Sequence, residues 1–560
     1  MPRIGGTPIL VMSEDAERQK GKGAQESNIA AGKQVSEIVK TTLGPKGMDK
    51  MLVDEIGDIV VTNDGATILD EMDIEHPAGK MLVEVSQTQD TETGDGTTTA
   101  VVIAGELLDQ AKELLDQDIH PSLIIKGYKI AQEKAIEYLG EVSQEVTIDD
   151  EEILKNVCAT SMKSKATAIG KEEVLAELIV KAVKQVADEK NGEYRIDKDN
   201  IKIETVEGGN LENSELIDGI VIDKERVHSN MPSQHKNPKI ALINSPIEVK
   251  ETETDAEIQI TDPEQLEGFL EQEENMLREM VDKIEDKGID VIFCQKGIDD
   301  TAQHYLAKRG ITAVRRVKKS DMKKMARATG ASIVSSIDDL TSEDLGNAEN
   351  VEERRMGDSE MTFVEGCPKA RAVTILVRGG TEHVVEEAER AVVDGIGALT
   401  CAIETGEVVT GGGAIETQLA MKLKDYADRI GGREQLAIER FAEALESIPT
   451  ILARSAGMDP IDTLVNLRSK HSSGEHRYGV NVLEGQVENM ENLKVTDPAK
   501  VKEQAISSGS EAANTILRID DIISSSGGGD ESGGAPAGPG GAPGGAPGAG
   551  GMPPGMGGMM

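Results

Sequence analysis

The chain has 560 residues, enough for several domains with separate buried cores. Its 60 lysines and arginines face 102 aspartates and glutamates, a formal net charge of −42, which argues against nucleic acid as the main partner because phosphate backbones recruit basic surfaces. No apolar run of about 18 residues and no basic-then-apolar leader is present, so a soluble, cytoplasmic chain outside the membrane is expected. Acidic groups are spread along the whole sequence and aromatics make up only 2%. That pattern suits a protein adapted to concentrated salt, where cations screen self-repulsion; an ordinary acidic protein is the plainer alternative. Cys158, Cys294, Cys367 and Cys401 lie far apart without metal-ligand spacing and read as reduced thiols, mostly in core positions. The eight histidines show no His-Glu-x-x-His pattern, which argues against a zinc enzyme.

In chain order, Ile29, Val35, Ile38 and Val39 give residues 28–43 the spacing of a helix, ended by Gly44-Pro45. Residues 41–50 form a Gly/Pro turn carrying hydroxyls, and 51–53 and 59–62 are two short strands around Gly57-Asp58. They lead into Asn63-Asp64-Gly65, where Asp64 by itself reads as a turn residue. A polar, turn-prone approach over 87–93 reaches Gly94-Asp95-Gly96-Thr97-Thr98-Thr99, after which Val101, Val102, Ala104, Leu107 and Leu108 recur at helical spacing. The motif thus sits at the mouth of a helix, where backbone N–H groups and the dipole attract an anion. Asp95 beside a phosphate calls for a divalent cation between the two. The alternative is a helix after a Gly-rich turn in which Asp95 supplies the cap.

Residues 121–146 and 173–187 read as helices and 194–206 as a strand, with Lys165 in a turn after a short helix. Between about 216 and 368, apolar runs at 239–243, 289–293, 311–314 and 331–334 alternate with helical stretches at 263–287, 299–309 and 320–329, the pattern of a parallel α/β layer. Residues 248–262 are acidic and by themselves read as an exposed hairpin or mobile loop. Arg315, Arg316, Lys318, Lys319, Lys323 and Lys324 form a basic cluster without the interleaved aromatics of a nucleic-acid site, so contact with an acidic neighbouring subunit is the preferred reading. A strand at 373–378 precedes a long helix at 382–404 that carries Asp394, for which an ion pair with Arg390 is the plain alternative role. Gly411-Gly412-Gly413 then stands before another helix, allowing close backbone approach to a ligand. Helices at 434–447, 459–469 and 500–517 surround a strand at 478–482, and Asp497 before Pro498 is by itself a helix-start signal. From 524 onward the chain is mostly Gly, Pro, Ala and Met and is expected to be disordered.

Taken together, Thr42-Leu43-Gly44-Pro45-Lys46-Gly47, Asn63-Asp64-Gly65, Gly94-Asp95-Gly96-Thr97-Thr98-Thr99 and the Gly triplet after Asp394 resemble the chaperonin family. Met48-Asp49-Lys50-Met51-Leu52 narrows the resemblance to the archaeal and eukaryotic-cytosolic group II, or thermosome, type. Family members usually carry Asp-Ala where this chain has Asp394-Gly395. The resemblance implies a multidomain α+β and α/β fold. A mostly helical equatorial ATP-binding domain would be split between 1–146 and 403–523, and a hinge domain between 147–214 and 369–402. An apical α/β domain at 215–368 would carry a helical lid protrusion at about 246–278, with a disordered tail at 524–560. It further implies an ATP-dependent chaperone, with ATP and Mg²⁺ as cofactors, acting on non-native polypeptides in a stacked double ring of identical or paralogous subunits. By resemblance Asp95 would hold the metal, Asp64 and Asp394 would position or activate water, and Gly44, Thr97, Thr98 and Thr99 would contact phosphate. Thr42, Leu43, Pro45, Gly96 and Gly411 would complete the phosphate loops. Gly412 would lie against ribose, Lys165 would sense the γ-phosphate, and Asn481 and Asp497 would contact adenosine. A ring-forming holdase with little turnover and a small-molecule phosphohydrolase are competing classes. The three aspartates disfavour the first, and the large acidic insertion disfavours the second.

Overall fold

A computed structural model describes residues 3–4, 7–8, 16–53, 56–57, 59–164, 171–249, 263–357, 359–368 and 371–525. The chain divides into two units, residues 1–20 with 521–560, and residues 21–520. In the first, Arg3–Ile4 pairs with Thr7–Pro8, and Ala16–Lys20 runs antiparallel to Asp521–Ser525 with Lys20 opposite Asp521.

The second unit begins with helices α1 (Lys22–Lys40), α2 (Gly65–Asp70), α3 (Pro77–Thr93), α4 (Thr97–Asp116) and α5 (Pro121–Val142). The expected helix at 28–43 therefore starts a turn and a half earlier, and the strands at Lys50–Val53 and Ile59–Thr62 pair as an antiparallel hairpin. Residues 87–93, expected as a turn, are instead the last part of α3. The threonines turn back onto the helix, the Thr91 and Thr93 hydroxyls donating to the carbonyls of Gln87 and Gln89 at 2.8 and 2.7 Å, and Gln89 is fully buried. From Ala100 to Leu108, α4 is buried at every position but Glu106, because this half lies inside a helical core; its second half carries a polar face with Asp109, Glu113 and Asp116.

Next come α6 (Glu151–Met162) and α7 (Glu172–Val186), then α8 (Pro263–Asp286), α9 (Asp300–Lys308) and α10 (Lys319–Thr329). The strand expected over 194–206 is interrupted: Glu193–Arg195 and Ile201–Glu207 are separated by a 3₁₀ turn whose start is capped by Asp197. Strands Thr312–Val314, Val291–Cys294, Lys239–Ile243 and Ile333–Val334 form a parallel sheet in that order, as the α/β alternation predicts. Ala241 and Ile243 face a core shared with α8 and α9, whereas Ile240 and Leu242 face α10 and a second, antiparallel sheet. A strand covered on both faces must be apolar at every position, which explains its unbroken hydrophobic run. Of the acidic stretch at 248–262, residues 250–262 lie outside the described residues.

The chain returns through Val373–Gly379, parallel to Ile201–Glu207, into α11 (Glu382–Thr405). These strands, with α6, α7 and α11, enclose a further core. Helices α12 (Ala414–Ile430), α13 (Gly432–Ser455), α14 (Pro460–Ser472) and α15 (Ala499–Leu517) complete the unit. α12, α13 and α15 close the core begun by α1–α5, where Tyr128 meets Phe441 edge-on at 5.7 Å and donates to the Leu107 carbonyl at 2.8 Å. α13 passes the expected stop at 447 and continues through Pro449. Ile448, Pro449, Ile451 and Leu452 are all buried, and that packing offsets the roughly 3 kcal/mol cost of an internal proline. All four cysteines are free and buried, as expected of core positions.

Candidate functional site

Gly94 and Gly96 both adopt left-handed backbone angles (φ 68° and 80°), ending α3 and starting α4 with a single aspartate between them. The turn is pinned from behind: the Gln89 amide donates to Thr93 Oγ1, to the Asp95 carbonyl and, across the core, to the Val501 carbonyl. A Cβ on Gly94 would lie 2.8 Å from the Gly397 Cα, so α11 crosses the turn backbone to backbone. The cap position of α4 is Gly96, which has no side chain, and the Asp95 carboxylate accepts from the Gly96 N–H at 2.6 Å. Asp95 is thus not the cap residue of the alternative reading.

A cavity of about 380 Å³ opens in front of this turn. Leu43, Gly44, Pro45, Asp95, Gly96, Thr99, Gly412, Asn481 and Asp497 line it, drawing five distant chain segments together. α12 also opens onto it, starting at the left-handed Gly413 (φ 78°) just as α4 starts at Gly96. Two helix N-termini whose cap residues lack side chains therefore present first-turn N–H groups toward one space, an arrangement that suits an anion. Gly413 is confined as well as bent, since a Cβ there would sit 2.8 Å from Pro449 Cβ.

Thr42, Asp64, Thr97, Thr98, Asp394 and Gly411 are not on its wall. Thr42 is buried and spends its hydroxyl on the Val39 carbonyl at 2.8 Å. Thr97 and Thr98 are the first two residues of α4, and Gly65 abuts Thr98 so closely that a Cβ on Gly65 would lie 2.6 Å from the threonine Oγ1. Asp64, one residue earlier, accepts from the Thr67 N–H and hydroxyl at 2.9 Å each, so it caps α2 beside the start of α4. Asp394 is half-buried on α11, less than one turn before the Gly397–Gly94 crossing, while Arg390 is bonded to Glu387 at 2.9 and 3.0 Å. Gly411 packs under Asp497, where a Cβ would be 2.8 Å from Oδ2. Asn481 holds the hairpin that borders the cavity: its Oδ1 accepts from the Leu483 and Glu484 N–H groups and its Nδ2 donates to Glu488. Lys165 lies outside the described residues.

Two lysines that the motifs did not single out also line the cavity, Lys163 and Lys502. Lys502 bridges Glu416 at 2.9 Å and Asp497 at 2.8 Å. Burial opposes its charge, but the two carboxylates outweigh burial and hold its pKa above the ordinary lysine value. For Lys163 burial prevails and the pKa is lowered. Lys502 was legible only as one more polar position on α15; its partners come from 86 and 5 residues away in sequence.

Among the described residues no cluster of three or more His, Cys, Asp or Glu side chains could hold a metal by itself. Asp95, half-buried at the mouth of α4, fits Mg²⁺ in the way that ion is usually bound, through one or two carboxylates with the remaining oxygens from phosphate and water. Among the described residues no helix is long and apolar enough to cross a membrane.

A helical core with two glycine-started helices opening onto one cavity, interrupted by an α/β insertion on paired strands, matches one class of protein. The chain belongs to the TCP-1/cpn60 chaperonin family, whose family model matches residues 35–526. It is 61% identical to a thermosome subunit of Methanopyrus kandleri over 518 residues, 92% of this chain and 95% of that one. To the thermosome subunit beta of Archaeoglobus fulgidus it is 55% identical over 544 residues, 96% of this chain and all of that one. Among solved structures it matches the open-state monomer of a group II chaperonin from Methanococcoides burtonii at a TM-score of 0.59 and 44% identity, covering 76% of this chain and the whole of that one. The thermosome-type resemblance read from the motifs is borne out.

Proposed function

We propose that this chain is the ATP-hydrolysing subunit of a double-ring folding chamber with a built-in lid. The observation that carries the proposal is the convergence on one cavity of Asp95 and the glycine-started N-termini of α4 and α12. Residues 1–146 and 403–523 would be the nucleotide-binding domain, 147–214 and 369–402 the hinge, and 215–368 the client-binding domain with its lid at about 246–278. Assembly partners would be identical or paralogous subunits, and the A. fulgidus relatives include both an alpha and a beta thermosome subunit.

Phosphoryl transfer to water demands charge stabilisation, in-line geometry and an oriented nucleophile. The N–H groups at the start of α4 and α12, with the hydroxyls of Thr97, Thr98 and Thr99 and the Gly44 loop, hold the phosphates. Asp95 would hold Mg²⁺, which when bound would supply positive charge against the phosphate oxygens. Asp64, fixed by its two Thr67 bonds, and Asp394, carried past the turn by the Gly397 crossing, orient and deprotonate the attacking water. Gly412 lies against ribose, the Asn481 hairpin and Asp497 border the adenosine, and Lys165 senses the γ-phosphate. Differential binding of ATP and its products then shifts the population between open and closed lids around a non-native polypeptide.

The test is Asp394→Ala in the full-length protein, assayed for ATP binding, single-turnover hydrolysis and ring closure by electron microscopy. Binding should stay near wild type while turnover falls by about 10²–10⁴-fold, because positioning of water acts chiefly in the transition state. Near-wild-type single-turnover hydrolysis would sink the assignment.

A further inference from the structure

The two cationic side chains on the cavity wall are in opposite conditions. Lys502 is neutralised by direct contact with Glu416 and Asp497. Lys163, at the C-terminal cap of α6, forms no side-chain hydrogen bond or ion pair among the described residues, although it lines the same cavity. The carboxylates that act on its ammonium, Glu172 and Glu173 at the start of α7 and Asp497 on the strand Thr496–Pro498, do so without contact, and Asp497 is already held by Lys502 at 2.8 Å. A half-buried cation without a contacting partner is costly, and an anion delivered into the cavity removes that cost. Its backbone position is fixed, since the Lys163 N–H donates to the carbonyls of Ala159 and Thr160 at 3.1 and 3.3 Å. Ser161 and Ser164 flank it on the wall, and Ser164 is tied through its carbonyl to the Asn63 amide, next to Asp64.

We infer that Lys163 is a phosphate-binding residue of the cavity, its ammonium meeting from the α6 side the same phosphate chain that the α4 and α12 N-termini meet from the other. The inference rests on the nucleotide reading of the cavity and adds a contact outside the glycine and threonine loops. It also gives α6, which belongs to a different hydrophobic core from α4 and α12, a direct hold on the ligand. Ligand charge is then felt in both cores at once.

The experiment compares wild type, Lys163→Met and Lys163→Arg in the full-length protein, measuring Kd for ATP, ADP and adenosine by calorimetry. Loss of one charge-assisted contact should weaken ATP and ADP binding by about tenfold or more in Lys163→Met. Adenosine has no phosphate, so its Kd should not change, which also shows that the cavity is still formed. Lys163→Arg should recover most of the loss. An equal loss for adenosine would mean a structural role and overturn the inference. Unchanged ATP and ADP binding by Lys163→Met would overturn it too, leaving the nucleotide reading intact. Failure of wild type to bind any of the three would instead bring down both.

Discussion

Replacing Gly397 by alanine adds one carbon where α11 meets the α3–α4 turn. The new Cβ would lie 2.7 Å from the Gly94 Cα, 3.0 Å from the Thr93 carbonyl oxygen and 3.2 Å from the Gly94 carbonyl carbon. All three are backbone atoms, so no side chain can swing aside. Carbon–carbon contacts settle at about 3.5–4.0 Å, and relief therefore needs a separation of about 1 Å between α11 and the turn. Alanine gains about 1 kcal/mol over glycine in a helix interior, against an overpacking cost of about 1–3 kcal/mol, so the net loss of stability is about 0–2 kcal/mol. On the role proposed for Asp394 the catalytic effect should be larger, because a misplacement of about 1 Å costs about 100-fold in rate. Gly395→Ala, two residues earlier on the same helix, is the control. Its Cβ would meet only the end of the Ile179 side chain at 2.8 Å and Met162 at 3.7 Å, both able to move. It should leave turnover unchanged and be neutral or slightly stabilising. Steady-state ATPase and thermal unfolding of the two variants decide the matter. Wild-type turnover by Gly397→Ala, or an equal loss in Gly395→Ala, would refute the argument.

Lys502→Met keeps the length of the side chain but leaves Glu416, 2% exposed, and Asp497 without their shared cation. It should cost about 3–5 kcal/mol, read as a lowered denaturation midpoint, and a loss below about 1 kcal/mol would show that the pair is not structural. Burial pushes the thiols of Cys294 and Cys401 up to about 11 and that of Cys367 to about 12. The folded protein should therefore resist iodoacetamide at pH 8, gain reactivity only as pH approaches those values, and alkylate readily once unfolded; rapid labelling of the native chain would contradict this. The charge of −42 on every subunit should make assembly and ATPase activity depend on molar KCl or NaCl, since the Debye length falls from about 10 Å at 0.1 M to about 3 Å at 1 M. Intact, active rings in sedimentation at about 0.1 M salt would remove the case for salt adaptation while leaving the chaperonin fold untouched.

Much of the site was legible because it rests on glycines whose backbone angles no other residue adopts readily. Gly94, Gly96 and Gly413 announce sharp turns at helix ends in the sequence, and all three have positive φ in the structure. The apolar run of the parallel sheet was equally plain in Lys239–Ile243. What local pattern could not supply was the bonding of polar groups across long sequence distances. Residues 87–93 looked like a turn because Gln89 and Thr93 are polar, yet their partners lie on α3 itself, at the Asp95 carbonyl and at Val501. Lys163 and Lys502 carry no motif, and their different conditions depend on which carboxylates tertiary structure brings within reach. The Gly397–Gly94 contact is likewise invisible in either segment alone.

The position of α4 bears on how the chain comes to be folded at all. From Ala100 to Leu108 it is buried at every position but Glu106, and α13 and α15, which cover part of it, emerge only after the whole α/β insertion has been made. With roughly 300 residues between the end of α4 and the start of α13, synthesis at about 5–20 residues per second leaves that surface bare for on the order of 15–60 s. The α/β layer, whose strands and helices are close in sequence, can close its own core in the interval. The cavity before the α3–α4 turn cannot exist until the start of α12 and α15 arrive, so every unfinished chain lacks it. During its own synthesis, the nascent subunit therefore exposes the kind of greasy, half-made surface that its finished form would be expected to shelter in others.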